Sequence, residues 1–213
     1  MQSRALERGP GLKSPGLRLK RRMDAASDAA RDQETQWLRQ TAQGDRTSFE
    51  RLFRAYEHRL YRYVLGIVRT PQTAEEITGD VMLEVWRHAN RFREQSKVST
   101  WIFGIAHHKA VDALRRRAPQ HIELQELASI EDQKRGPEEV AIAHSTAREV
   151  AQALEELSPE HRAVLELTFT HGYSQAEIAQ IVGCPVNTVK TRVFYAKQHL
   201  RKILDGAGAR REM

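Results

Sequence analysis

From Phe49 onward the apolar residues recur at spacings of three and four, the period of one helix face, and no stretch alternates as a strand would. Phe49, Leu52, Phe53, Tyr56, Leu60, Val64, Ile67 and Val68 mark one long helix. Thr70-Pro71 closes it, because proline and its predecessor both disfavour continuation. Ala74, Ile77, Val81, Met82, Val85 and Ala89 mark a second, with Thr73 and Glu76 spaced as a capping box. Ile102, Ile105, Ala106, Ala110 and Ala113 mark a third, with Ser99 as its N-cap and Pro119 as its stop. Gly44-Asp45 separates a shorter helix upstream. Periodicity resumes near Ala147, and Ser158-Pro159-Glu160 opens another helix with proline at the permitted first position. The expected fold is all-α.

Charge divides this helical chain. Among 213 residues there are 34 Lys or Arg and 28 Asp or Glu, a net of +6. Residues 1–22 carry +6, residues 87–117 carry +6 and residues 185–211 carry +6, whereas residues 118–160 carry −7. Two basic blocks separated by an acidic one suit two surfaces for a polyanion, with a solvated, salt-bridged helical surface as the plainer alternative. The expected organisation is a disordered basic segment over 1–33, a helical domain over 34–117, a flexible acidic linker over 118–146, a second helical domain over 147–205 and a disordered tail over 206–213. The basic N-terminal segment has no apolar stretch after it and so does not resemble a secretory signal. No run approaches the roughly 20 apolar residues of a membrane helix, so no membrane insertion is expected and the cytoplasm is the default location.

Residues 173–204 carry the most information. Ser174 and Glu177 form a second capping box, Ile178 and Val182 face inward, and Gly183 can end that helix in the left-handed conformation before Pro185 starts the next. A short helix, a tight turn and a second helix is the arrangement that presents a recognition helix to a major groove. On the second helix Val189, Val193, Ala196, Leu200 and Ile203 are the buried stripe. Asn187, Thr188, Lys190, Thr191, Arg192, Phe194, Lys197 and Arg201 are left on the opposite face, where such side chains meet phosphates and base edges. An ordinary αα-hairpin with a basic surface is the competing reading.

The first basic block differs in kind. Arg91, Phe92, Arg93, Lys97, Trp101 and Phe103 interleave cations with aromatics, as in sites that stack unpaired bases, although Trp101 and Phe103 could equally be core residues. Catalytic signatures are missing from the sequence: there is no phosphate loop, no nucleophile elbow and no H-E-x-x-H. His107 and His108 are adjacent on a helix, about 100° apart, and cannot share one ion, while the single Cys184 excludes a multi-cysteine zinc site. No enzyme activity, metal or cofactor is expected.

Three stretches, AEEITGDVMLEVWRHANRF, STWIFGIAHHKAVDALRRR and YSQAEIAQIVGCPVNTVKTRVFYAKQHL, resemble the extracytoplasmic-function sigma factors of bacterial RNA polymerase. The resemblance covers about residues 36–117 (sigma domain two) and 147–204 (sigma domain four). It implies promoter specificity through core polymerase (its beta and beta-prime subunits) and promoter DNA, and an anti-sigma factor as a further partner. It places Asp80, Glu84 and Trp86 on the polymerase-docking helix. Arg91, Phe92, Arg93, Lys97, Ser99, Trp101, His108, Arg115, Arg116 and Arg117 fall at the minus-ten element. Asn187, Thr188, Lys190, Thr191, Arg192, Phe194 and Lys197 fall at the minus-thirty-five element. Where the family commonly has glutamine, arginine-asparagine, glycine and histidine, this chain has Gly79, His107-His108, Asn187 and Phe194. A stand-alone helix-turn-helix regulator is the alternative function, against which the aromatic-basic loop of domain two argues.

Overall fold

The computed structural model describes residues 15–117, 153–154 and 156–209. Helix α1 (Pro15–Ala42) leads into α2 (Arg46–Val68), α3 (Pro71–His88), a 3-10 turn (Ala89–Arg91) and α4 (Val98–Arg117), which together make the first lobe. The second lobe holds α5 (Pro159–Phe169), α6 (Gln175–Val182) and α7 (Val186–Ala209). Every described element is helical, as the spacing of the apolar residues requires.

Local chemistry sets most boundaries. Asp45 caps α2 by accepting from the Thr47 and Ser48 N–H groups at 3.1 and 3.2 Å, while Arg69 closes it in the left-handed region at φ 58°. Ser158 caps α5 with Pro159 behind it, and Ser174 with Glu177 completes the capping box of α6. Gly183 ends α6 at φ 68°, a conformation that costs glycine little.

Four expectations need correction. The segment over 1–33 is helical from Pro15 onward, because its Gly and Pro residues lie no later than Gly16 and Ala25, Ala26, Ala29 and Ala30 follow. The cap of α3 is Thr70, with Pro71 at the first helical position; Thr73 is buried inside the helix, so it does not pair with Glu76 as a cap. Helix α4 starts one residue before Ser99, which lies within its first turn. Helix α7 continues to Ala209, past the expected start of a tail at 206, and Pro185 stands just ahead of it with its carbonyl accepting from Val189 N–H at 3.2 Å. The expected linker, 118–146, lies outside the described residues.

The two lobes share one core rather than standing apart. Tyr56, Tyr63, Leu60, Val64, Val81, Val85, Ile102 and Phe103 are buried in the first lobe, and Val164, Leu167, Ile178, Ile181, Val189 and Ala196 continue the same cluster in the second. Helix α6 lies on α4, and α5 lies on α2. Arg162, 6% exposed, reaches from α5 to the Gly66 carbonyl of α2 at 2.8 Å. Its remaining nitrogens donate to the carbonyls of Leu154 and Leu157 at 2.8 and 2.7 Å. Beside it the Glu166 carboxylate sits directly against Gly66, where an added Cβ would overlap it.

Candidate nucleic-acid interface

On α7 the stripe of Val189, Val193 and Ala196 is buried against α5 and α6, which turns the other side of the helix to solvent. Asn187, Lys190, Thr191, Phe194 and Lys197 are exposed there. The Thr191 hydroxyl donates to the Asn187 carbonyl at 2.9 Å, Phe194 is 56% exposed with only an edge contact to Tyr195, and Lys197 lies 4.8 Å over the ring of Phe169. Thr188 and Arg192 depart from the expected face. They flank the buried stripe at positions one residue off it and are half-buried, and the charge of Arg192 acts on His107 of the first lobe and on Glu160 of its own.

The aromatic-basic loop follows α3. Arg91 and Arg93 are exposed, and Phe92 packs half-buried on Trp101 with ring centroids 5.6 Å apart. Phe103 is core, fully buried against Tyr63, because it stands two positions past Trp101 and so on the inner side of α4. Glu94 takes a left-handed conformation at φ 57° and accepts from Arg39 Nε and Nη2 at 2.7 and 2.6 Å, which ties the loop to α1. That pairing holds the Glu94 carboxyl below its usual range and raises Arg39.

Beyond the loop, Trp101 and the exposed His108 line a cleft of about 670 Å³ together with Gln95, Ser96, Asp112 and, from α6, Gln180. Ser99 is half-buried and is not among the residues that line it. Arg115 and Arg116 are exposed farther along α4, and Arg117 belongs to the helix without a described side chain. Phe92, Ser99 and Trp101 are therefore gathered at the start of α4, His108 stands at its middle and the arginine run ends it.

Lys97 is the exception among the loop cations. It forms an ion pair with Glu177, at the start of α6 in the second lobe. Burial pushes Glu177 upward, but Lys97 and the Ser174 N–H pull its carboxyl below the usual value overall.

Behind the cleft, Tyr63 Oη and His107 Nδ1 lie 2.9 Å apart in a buried pair. Burial, and then the charges of His108 and Arg192, hold His107 down at about 4. The His107 and His108 rings diverge at 65°, and among the described residues no group of three or more His, Cys, Asp or Glu is placed to hold a metal ion. No described helix is long and apolar enough to cross a membrane.

The third face is on α3. Asp80 is exposed, Glu84 accepts from Lys109 Nζ at 2.8 Å, and Trp86 is half-buried against Phe49 with centroids 5.1 Å apart. Leu83, 43% exposed between them, was not singled out from sequence, although its position three residues after Asp80 puts it on the same side of the helix. Gly79 also faces open space, with no atom within 4 Å of where a Cβ would stand.

The comparisons with known proteins follow this geometry. Residues 52–120 match the family model for sigma-70 region 2, and residues 147–200 match that for sigma-70 region 4. The chain is 33% identical over 162 residues to the ECF RNA polymerase sigma factor SigM of Mycobacterium tuberculosis, covering 76% of this chain and 79% of SigM. It is 29% identical over 165 residues to SigX of Bacillus subtilis, covering 74% of this chain and 84% of SigX. Two solved structures share the fold. CnrH in complex with the cytosolic domain of CnrY has a TM-score of 0.62 at 23% identity, covering 82% of this chain and 98% of that one. The sigma factor RpoE in complex with the anti-sigma factor NepR from Bartonella quintana has a TM-score of 0.58 at 22% identity, covering 74% and 96%. With both regions present in order, and with relatives matched over most of their length, the chain belongs to the extracytoplasmic-function sigma factors of the sigma-70 family.

Proposed function

We propose that this chain gives RNA polymerase its promoter specificity, with region 2 reading the minus-ten element and region 4 the minus-thirty-five element. The observation that carries the reading is the presence, on one chain, of two basic faces of different chemistry. One is a cation-aromatic loop beside a cleft, suited to an unpaired strand; the other is a helix-turn-helix with a polar, basic outer face, suited to a duplex groove.

In region 2, Arg91, Arg93, Lys97 and the run Arg115–Arg117 hold phosphates, Phe92 and Trp101 stack an extruded base, and Ser99 and His108 bond its edge. In region 4, Asn187, Lys190 and Thr191 enter the major groove, with Thr188, Phe194 and Lys197 farther along it and Arg192 at its margin. Asp80, Glu84 and Trp86, with Leu83 between them, dock on the beta-prime side of core polymerase. Opening the promoter requires binding energy and no covalent step, so the protein acts without catalytic residues or a cofactor, and in the cytoplasm. The match to relatives such as RpoE, solved with an anti-sigma factor, supports an anti-sigma partner here as well.

Run-off transcription from a promoter library, with core polymerase in the presence and absence of the chain, tests the reading. New start sites sharing two upstream elements are expected. Salt-sensitive DNA binding without core, and no new start sites with it, would establish the stand-alone regulator instead.

A further inference from the structure

We propose that Phe169 is a positioning residue of the region 4 interface: the face of its ring holds the Lys197 ammonium ready for a backbone phosphate of the minus-thirty-five duplex. The inference rests on the proposed function, which makes Lys197 a contact to that duplex.

Helical spacing explains why the ring lies outside the core. Leu167 is fully buried, and two residues on, about 200° around α5, Phe169 turns outward. At 63% it is the most exposed of the large apolar side chains described, so core packing does not account for it. Its neighbour is a cation: Lys197 Nζ of α7 lies over the ring face, 4.8 Å from the centroid. An ammonium within about 6 Å of a ring centroid is attracted by the negative face of the ring. Phe169 is also the last residue of α5, where the negative end of the helix dipole adds to that attraction.

The nature of that neighbour decides what the cation can still do. Arg39 and Lys109 are each paired with a carboxylate, Glu94 and Glu84, whose charge offsets theirs. Among the described residues no carboxylate forms an ion pair with Lys197. A ring offers a quadrupole and no net charge, so it fixes the ammonium without neutralising it. A lysine chain loses rotamer freedom when it docks, and one already held against Phe169 has less to lose. Lys190, Phe194 and Lys197 follow at spacings of four and three, so they share one exposed row of α7. The ring belongs to α5, and the ammonium is therefore fixed relative to the body of the lobe as well as to its own helix.

Full-length wild type, Phe169→Leu, Phe169→Trp, Lys197→Gln and the double variant Phe169→Leu/Lys197→Gln are compared as holoenzyme with core polymerase. Binding to a promoter fragment is measured at several salt concentrations, beside a fragment whose minus-thirty-five element is scrambled. Lys197→Gln is expected to reduce the salt slope by about 0.9, the value of one phosphate. Phe169→Leu keeps every charge and most of the apolar bulk. It is expected to weaken binding about two- to fivefold, as loss of an exposed cation–π contact does. Phe169→Trp should match wild type or exceed it, because tryptophan presents the stronger face. The double variant should bind no more weakly than Lys197→Gln alone, since the ring acts only through the lysine.

Wild-type affinity in Phe169→Leu, or a Phe169→Trp variant as weak as the leucine one, overturns the positioning role while leaving the sigma function standing. Losses that multiply in the double variant also overturn it, by giving the ring a contact of its own. An unchanged salt slope in Lys197→Gln does the same, since there is then no phosphate for the ring to serve. If scrambling the element leaves wild-type binding unchanged, the proposed reading of that element fails, and the positioning role with it.

Discussion

Arg162 Nη1 donates to the carbonyl oxygen of Gly66 across 2.8 Å, placing a guanidinium rooted in α5 at the C-terminal turn of α2. Gly66 is among the last four carbonyls of that helix, which have no donor within it, and a cation there also meets the negative end of the helix dipole. The same side chain satisfies Leu154 and Leu157, so one buried cation organises three backbone acceptors. Hydrogen bonds to a charged group contribute about 1.5–3 kcal/mol each, and removing the guanidinium leaves buried carbonyls without a donor, offset in part because methionine spares the cost of burying the charge. Arg162→Met is expected to lose about 2–4 kcal/mol in urea unfolding; a loss under about 1 kcal/mol would mean that these carbonyls find other donors.

The contact between lobes carries two half-buried groups of opposite pH sense. Burial raises Glu166 to about 7, against the opposing pull of Arg162 beside it and Arg62 on α2. Burial, with Arg59 and Arg62 adding to it, lowers His171 to about 4. Below pH 7 the folded form takes up a proton at Glu166 before a solvated carboxyl would, so acidification first stabilises it. Below about 6.5 a solvated His171 would charge while the folded ring stays neutral, which offsets the continuing gain at Glu166. His107, faced by His108, Arg192 and Glu160, has the same sense as His171 and turns the balance to a net loss. Stability to urea measured between about pH 5 and about pH 8 should peak between about 6 and about 7. Glu166→Gln should remove the alkaline fall and His171→Gln should weaken the acid one; a flat profile in wild type would refute the assignment.

Trp101 is expected to carry much of the affinity of region 2 for an unpaired strand. Stacking contributes about 1–3 kcal/mol per base, so Trp101→Ala in holoenzyme should weaken binding of a non-template minus-ten oligonucleotide roughly 5- to 150-fold. Trp101→Phe should recover part of that loss, since Phe92 retains an aromatic neighbour. Equal affinities for wild type and the alanine variant would assign Trp101 to packing alone.

Phe194 is a large exposed apolar side chain on an otherwise polar face, and the base-edge group that suits such a ring is the thymine methyl. Replacing thymines of the minus-thirty-five element by deoxyuridine should weaken wild-type binding about fourfold, from about 0.8 kcal/mol per buried methyl. The Phe194→Ser variant should bind the two DNAs equally. Discrimination that survives in Phe194→Ser would place the methyl against another residue.

How much was legible in the sequence depended on whether the information was local. The capping boxes and turns show the distinction. Ser174 and Glu177 sit where the apolar stripe also begins, so pattern and cap agree; Thr73 and Glu76 have the same spacing, but Pro71 starts α3 earlier and leaves Thr73 inside it. The α7 stripe was readable from period alone, yet period could not orient residues at its margins, and Thr188 and Arg192 were placed too far outward. Trp101 and Phe103 were indistinguishable in sequence because the inward direction of α4 is set by Tyr63, some forty positions earlier. Nothing local marks Gly66, Arg162 or Glu166, since each owes its role to a partner on another element, and the cap that marks Glu177 says nothing of its pairing with Lys97. The segment over 15–33 was misread for a different reason: the Gly, Pro and basic residues at and before its start outweighed the alanines that follow, which favour a helix.

Because one buried cluster runs through both lobes, a cavity opened in either is felt by both. The two regions then unfold as one cooperative unit rather than in turn. A core substitution on α6 lowers the melting of α4 as well.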